Sequence, residues 1–441
     1  MEFRKDIGGL RAYAVVAVVL YHFGVPGFQG GFVGVDVFFV ISGFLMTRMI
    51  LPRLDGGGFS LKGFYHARAR RIIPALAVLC GLVMGVGWWQ LGPSEYGLVG
   101  KHAAASIAFV SNIVYWGESG YFDASSHEKW LLHTWSLSVE WQFYLIFPLF
   151  LIGLSRMFRA RDRYLWATCL ALVASLVVSV VCTRLWPNAS FYLLPTRAWE
   201  MLAGTLVYLV QDGRPQPGPR TAQILEGAGV LMIAGAVLGF DASVPWPGYW
   251  AVIPVLGASF VLMAMRSESI WTGTAPAQAL GAWSYSIYLW HWPVQVALSR
   301  LEERGWIMVA GAILLSTVLG YASYVLVESP MRRMGKAPRG LLHFGALVAV
   351  MAGIGLMISR TDGFLQARFG DSPRHAELLH MLSFLHYDRA SYREGECFLR
   401  PNQDERSFGD RCIARKSSSG AYFGDRDRAF RSIVTGGFGG T

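Results

Sequence analysis

At 441 residues, with 53% hydrophobic content, 16 tryptophans and a mean hydropathy of +0.38, this chain is too apolar for an ordinary pair of soluble domains. Its formal net charge of +10 suggests nucleic acid at first sight, but the basic residues cluster in short loops between apolar segments rather than along one soluble face. Positive-inside topology accounts for them, so no nucleic-acid partner is expected and the chain reads as an all-α polytopic membrane protein.

Eleven apolar stretches of spanning length are predicted, at roughly 12–24, 33–51, 73–92, 131–153, 164–183, 197–211, 221–240, 249–265, 280–299, 306–328 and 341–358. Ten make a core and the eleventh leads to a short tail. Around 102–116, Lys101, His102, Ser106, Ser111 and Asn112 lower the hydropathy, and this stretch is read as an interfacial or re-entrant helix. No small-residue cleavage site follows the first stretch, which is therefore expected to be a retained span rather than a signal peptide. Loops holding Arg53, Lys62, Arg68, Arg70 and Arg71, then Arg156, Arg159, Arg161 and Arg163, then Arg332, Arg333, Lys336 and Arg339 must share one side. Eleven spans from a cytoplasmic N-terminus put them all inside, and put residues after about 359 on the periplasmic side of a bacterial inner membrane.

On the first stretch, Arg11 and His22 are separated by about 16 Å of helical rise and lie within about 20° of one face. Ionisable groups inside a span are costly and tend to face the bundle interior. His22 is a candidate general base, since imidazole titrates near neutrality; the alternative is a packing histidine bonded to a carbonyl. Arg11 suits either a phosphate group or lipid headgroups. Asp36, on the second stretch, shares a stripe with Val40, Gly43 and Thr47; it could orient His22 or pair with an arginine. The glycines at 30, 31, 34 and 43 are expected to permit tight turns and close helix approach.

Arg68 and Arg71 sit at the edge of the third stretch, where a phosphate-rich cofactor such as coenzyme A or an anionic lipid would suit them. Helical spacing stacks His133, Ser136, Glu140 and Tyr144 on one face, and Ser284, Tyr288, His291 and Gln295 on another. Two polar faces in one bundle imply a polar cavity. Arg197 and Glu200, one turn apart, read as a structural pair, and Glu328 as another such group. Cys80, Cys169 and Cys182 read as small hydrophobes, while Cys397 and Cys412 in the polar tail could form a disulfide or remain free thiols. No ligand spacing points to a metal.

Arg11 and His22 with ten residues between them, the run Gly34-Val35-Asp36-Val37-Phe38-Phe39-Val40-Ile41-Ser42-Gly43-Phe44, the segment Arg68 to Pro74, Trp135 to Tyr144 and Ser284 to Pro293 together resemble the acyltransferase 3 family of membrane proteins. The resemblance covers roughly residues 5–335 and implies transfer of an acyl group, usually acetyl from acetyl-CoA, to a hydroxyl of a surface glycan such as O-antigen lipopolysaccharide, peptidoglycan or exopolysaccharide. It implies His22 as the catalytic histidine, Arg11 as the motif arginine, Arg68 and Arg71 as contacts to acyl-CoA, and Glu140 as a site residue. With Asp36 as orienter of His22, the expected catalytic set is His22, Asp36 and Glu140. Acyl-CoA, a glycan or lipid-linked saccharide acceptor and membrane lipids are the expected partners, with no metal.

Residues 1–335 are thus expected to form the acyltransferase domain, 336–358 a linking helix, and 359–441 a periplasmic tail. That tail resembles the start of an SGNH hydrolase-like domain, through Cys397, Cys412 and the run Gly420 to Asp425. Arg426 stands where the resemblance expects the nucleophilic serine, so no esterase or second transferase activity is expected of it; truncation and a divergent short tail both remain open. Two rival functions stay open as well. One is a transporter or flippase for a lipid-linked sugar, using Asp36, Glu140 and His291 as a relay; the other is an inactive member of the family.

Overall fold

The computed structural model describes residues 4–119, 128–157, 161–301, 305–333 and 340–369, nearly all of them in the first of two compact units, Met1–Arg368. Cys397, Cys412, the run Gly420 to Asp425 and Arg426 lie outside the described residues. The described chain is helical, with no strand among its residues. Its helices are α1 (Lys5–His22), α2 (Gly34–Asp55), α3 (Leu61–Gln90), α4 (Pro93–Ile107), α5 (Ser111–Glu118), α6 (Thr134–Met157), α7 (Arg161–Leu185) and α8 (Pro187–Tyr192). Then follow α9 (Leu194–Gln211), α10 (Pro219–Gly239), α11 (Val252–Ala264), α12 (Ala275–Ser299), α13 (Trp306–Ser323), a π-helical turn (Tyr324–Glu328), α14 (Ser329–Arg333), α15 (Gly340–Arg360) and α16 (Leu365–Phe369).

Local chemistry sets several of these boundaries. Proline opens α4, α8, α9, α10 and α12 in the first turn, where its missing N–H costs nothing. Ser60 caps α3 by accepting from the Gly63 N–H at 3.1 Å. Seven helices, α2, α3, α6, α7, α10, α13 with its extension, and α15, are long and apolar enough to cross a membrane. On α7, Trp166, Leu170, Val173 and Val177 recur at helical spacing and point outward, as lipid-facing side chains do. Each remaining predicted stretch is also a helix, but α11 is 13 residues long, and α1, α9 and α12 carry the polar side chains described below.

Glycines bring the central helices into backbone contact. A Cβ at Gly281 would overlap the Gly8 carbonyl oxygen, which lets α1 and α12 run side by side. At the α2–α9 crossing, Gly43 faces the Met201 carbonyl and Gly204 faces that of Val40. Gly30, Gly31 and Gly34 likewise sit against the backbone of Ala236, Ala17 and Ala14, as the sequence suggested.

The polar stretch near 102–116 forms two helices, α4 and α5, that reverse direction between them. Phe109 adopts a left-handed conformation (φ 57°) between α4 and α5, and His102 meets Glu118 at 2.9 Å. Ser106 bonds Thr134 and Ser111 bonds Ser138, both at 2.7 Å, which ties the pair to α6. Glu118 also gathers Lys101 at 2.7 Å and Lys129 at 3.1 Å. Burial opposes its charge, but the hydrogen bond and charge of His102, with Lys101, prevail and hold its carboxyl well below the usual range.

Candidate functional site

Between α1, α2, α3, α6 and α12 lies a cavity of about 80 Å³. Its wall includes Arg11, Arg68 and Arg71, with Glu140 as its acidic residue and Ser42, Tyr144, Ser284 and Tyr288 as further polar ones. The i, i+4 spacing of Ser136, Glu140 and Tyr144 on α6, and of Ser284 and Tyr288 on α12, turns these side chains to one space. Arg11 Nε donates to Ser284 Oγ at 3.1 Å. The hydroxyls of Ser42 and Tyr144 both hydrogen-bond Glu140 Oε1 and lie 3.1 Å apart. Arg68 is buried and its Nε meets no protein partner. Three guanidinium groups against one carboxylate make a site suited to an anionic ligand.

Farther along α1 and α12, the helices bring together two histidines. His22 Nδ1 lies 3.0 Å from His291 Nε2, and His291 Nδ1 lies 2.6 Å from the Tyr288 carbonyl oxygen. A carbonyl only accepts, so His291 Nδ1 carries the proton. In the neutral pair His291 Nε2 must then accept from His22 Nδ1–H, an assignment made from the hydrogen-bond network. His22 Nε2 is left as the lone-pair nitrogen, the form a general base needs. The Trp292 ring packs edge-on to His22 at 4.8 Å, and its Nε1 donates to the Lys129 carbonyl at 2.8 Å.

Tyr288 stands between cavity and histidines. Its hydroxyl is 2.7 Å from Ser136 Oγ and 3.0 Å from the His133 carbonyl, and its ring is 5.3 Å from that of His291. His133 lies beside it, 5.6 Å from the Tyr288 ring and 5.8 Å from that of His291.

The predicted residues therefore divide. Arg11, Arg68, Arg71 and Glu140 share the cavity, whereas His22 joins His291. Asp36 joins neither. Its buried carboxylate pairs with Arg197 at 3.2 Å and makes no hydrogen bond to His22, which corrects the expectation that it orients that ring. Arg197 also meets Glu200 at 3.1 Å, and its guanidinium lies over the rings of Phe39 and Trp135 at 5.4 and 5.7 Å. The two acids and one arginine bind α2 to α9. Sequence reasoning placed His291 on a polar stripe and in a transporter's relay, not beside His22, and did not single out Ser42; neither contact has a local signature.

A family described as an acyltransferase domain matches residues 4–325 of the chain. The chain is 34% identical over 361 residues to the "Putative membrane-bound transacylase BcsY" of Komagataeibacter xylinus, covering 80% of itself and 89% of that relative. It is 30% identical to the "Putative peptidoglycan O-acetyltransferase YrhL" of Bacillus subtilis (strain 168), covering 76% of itself and 56% of the relative. To "O-acetyltransferase OatA" of Staphylococcus aureus (strain NCTC 8325 / PS 47) it is 29% identical, with 76% and 58% covered, so it spans little more than half of either acetyltransferase. No solved structure matches the chain.

Proposed function

This chain belongs to the acyltransferase family matched across residues 4–325, and from that premise we propose that it is a membrane O-acyltransferase, carrying an acetyl group from acetyl-CoA to a hydroxyl of a cell-surface glycan. The observation that carries the reading is the arrangement on α1 and α12, with an arginine-lined cavity at Arg11 and an oriented imidazole at His22. A thioester donor with a phosphate-bearing end fits both. Its phosphates bind Arg11, Arg68 and Arg71, and its pantetheine arm runs past Tyr288 over the about 16 Å of helix that separates Arg11 from His22.

His22 Nε2 takes the proton of the acceptor hydroxyl as that oxygen attacks the thioester carbonyl carbon. When the carbon–sulfur bond breaks, the departing thiolate takes the proton from His22. His291 holds the ring of His22 in the required tautomer throughout. Glu140, tied to Ser42 and Tyr144, offsets one guanidinium charge, so its part is in donor binding rather than proton transfer.

In this reading the arginine end faces the cytoplasm, where acyl-CoA is made, and the histidine end faces the outer side of a bacterial inner membrane. The acceptor is a cell-surface glycan such as peptidoglycan, the glycan named for the Bacillus subtilis relative. The test supplies radiolabelled acetyl-CoA to cell-envelope vesicles that contain the protein and their own glycan. Label appears in glycan with wild type and not with His22→Ala. Gradient-dependent sugar uptake without acetyl-CoA consumption would establish the transporter reading instead.

A further inference from the structure

His133, immediately ahead of α6, is 3% exposed, and neither its Nδ1 nor its Nε2 meets a hydrogen-bond partner. The nearby Leu289 carbonyl lies outside bonding geometry with the ring. A neutral imidazole always carries one N–H donor and one lone pair. Leaving a buried polar group unmet costs about 1–3 kcal/mol, and a packing histidine avoids that cost by bonding a carbonyl, as His291 does. His133 does not.

Its surroundings are those of the proposed reaction. His291 and Trp292 contact both His133 and His22: the His291 ring lies 5.8 Å from His133 and 5.1 Å from His22, and the Trp292 ring 6.3 and 4.8 Å. Tyr288, which bonds the His133 carbonyl, lines the arginine cavity. A donor arm passing from that cavity to His22 therefore comes by the His133 ring.

We propose that His133 is a second catalytic histidine, whose ring N–H donates a hydrogen bond to the acyl carbonyl oxygen of the thioester as it becomes an oxyanion. The inference rests on the acyl-transfer reading above. As the acceptor oxygen bonds to the carbonyl carbon, its proton passes to His22 Nε2 and the carbonyl π pair moves onto the oxygen held by His133. The pair then returns, the carbon–sulfur bond breaks, and the thiolate takes the proton from His22. His133 starts and ends neutral, with its N–H intact.

The test measures acetyl transfer from radiolabelled acetyl-CoA in envelope vesicles, as maximal rate per protein molecule and KM for acetyl-CoA, with the melting temperature of each purified variant. His133→Phe lowers the maximal rate about 100- to 1,000-fold, the cost typical of one lost oxyanion donor, and moves KM less than about threefold. His133→Asn and His133→Gln, which keep an N–H donor, recover at least about tenfold of that loss. Should the phenylalanine variant not fold, His133→Ala takes its place. A folded variant within about threefold of the wild-type rate, a change confined to KM, or amide variants no better than phenylalanine would overturn the role. His22→Ala runs alongside. If wild type transfers nothing, the acyl-transfer reading falls and this inference with it; if His22→Ala is inactive while folded His133→Phe is active, only the role of His133 falls.

Discussion

His291 Nε2 accepts from His22 Nδ1–H at 3.0 Å because the other nitrogen of His291 is committed to the Tyr288 carbonyl at 2.6 Å. A backbone oxygen on α12 thereby decides which nitrogen of a ring on α1 is basic. Replacing His291 by phenylalanine removes the acceptor while keeping an aromatic ring. The maximal rate of acetyl transfer is expected to fall about 100-fold with little change in KM, and His291→Gln, whose amide oxygen can accept, is expected to lose less. Steady-state kinetics on matched protein amounts decide it; equal losses in the two variants would count against tautomer control.

In the proposed reaction the arginines act on donor binding. Arg68→Ala and Arg71→Ala are each expected to raise KM for acetyl-CoA roughly ten- to a hundredfold, the value of one or two charge-assisted hydrogen bonds, with smaller effects on maximal rate. Arg68→Lys keeps the charge but not the planar fork and should recover only part of the loss. Direct binding of acetyl-CoA to purified variants provides the check.

Asp36 and Arg197 answer to stability. Removing one member of a buried ion pair costs about 3–5 kcal/mol, because the other charge stays behind in a low-dielectric interior. Arg197→Met is therefore expected to lower the melting temperature sharply. Asp36→Asn should lower it as well, yet leave the transfer rate per folded molecule nearly unchanged at low temperature. A rate loss in well-folded Asp36→Asn would return that residue to the catalytic set.

The close crossings make a prediction by contrast. Gly281→Val places carbon atoms where the Gly8 carbonyl stands, and overpacking of this kind costs about 1–3 kcal/mol or more. Gly311 on α13 has open space around it, and Gly311→Ala should be neutral or slightly stabilising. Expression level and melting temperature in detergent compare the two.

Glu118 gives a pH dependence. Its carboxyl is held low in the folded protein, so the stability it contributes is present above the unfolded carboxylate value of about 4.3 and is lost as pH falls toward the folded one. Wild type should out-melt Glu118→Gln most at neutral pH, and the two curves should converge on acidification. A gap that widens toward acid pH would contradict the ion cluster around His102.

Much of the cavity was legible in the sequence, because Glu140 and Tyr144, or Ser284 and Tyr288, repeat at helical spacing and so must share a face. The strongly apolar helices were legible for the same reason: length and composition are local properties. Contacts between helices were not. His22 and His291 are 269 residues apart, and nothing near either announces the other. Asp36 could be read as needing a partner, but its meeting with Arg197 follows from the glycine crossing of α2 and α9. His133 was visible as one member of a stripe; its unmet nitrogens are a property of packing alone.

The side-by-side course of α1 and α12 turns the spacing of Arg11 and His22 into a caliper. With one jaw at a guanidinium and the other at an imidazole about 16 Å away, a compact acyl donor such as acetyl phosphate engages either jaw but never both. Selection among donors in the proposed reaction would then be a matter of reach, and lengthening α1 by one turn between these residues should shift preference toward a longer carrier arm.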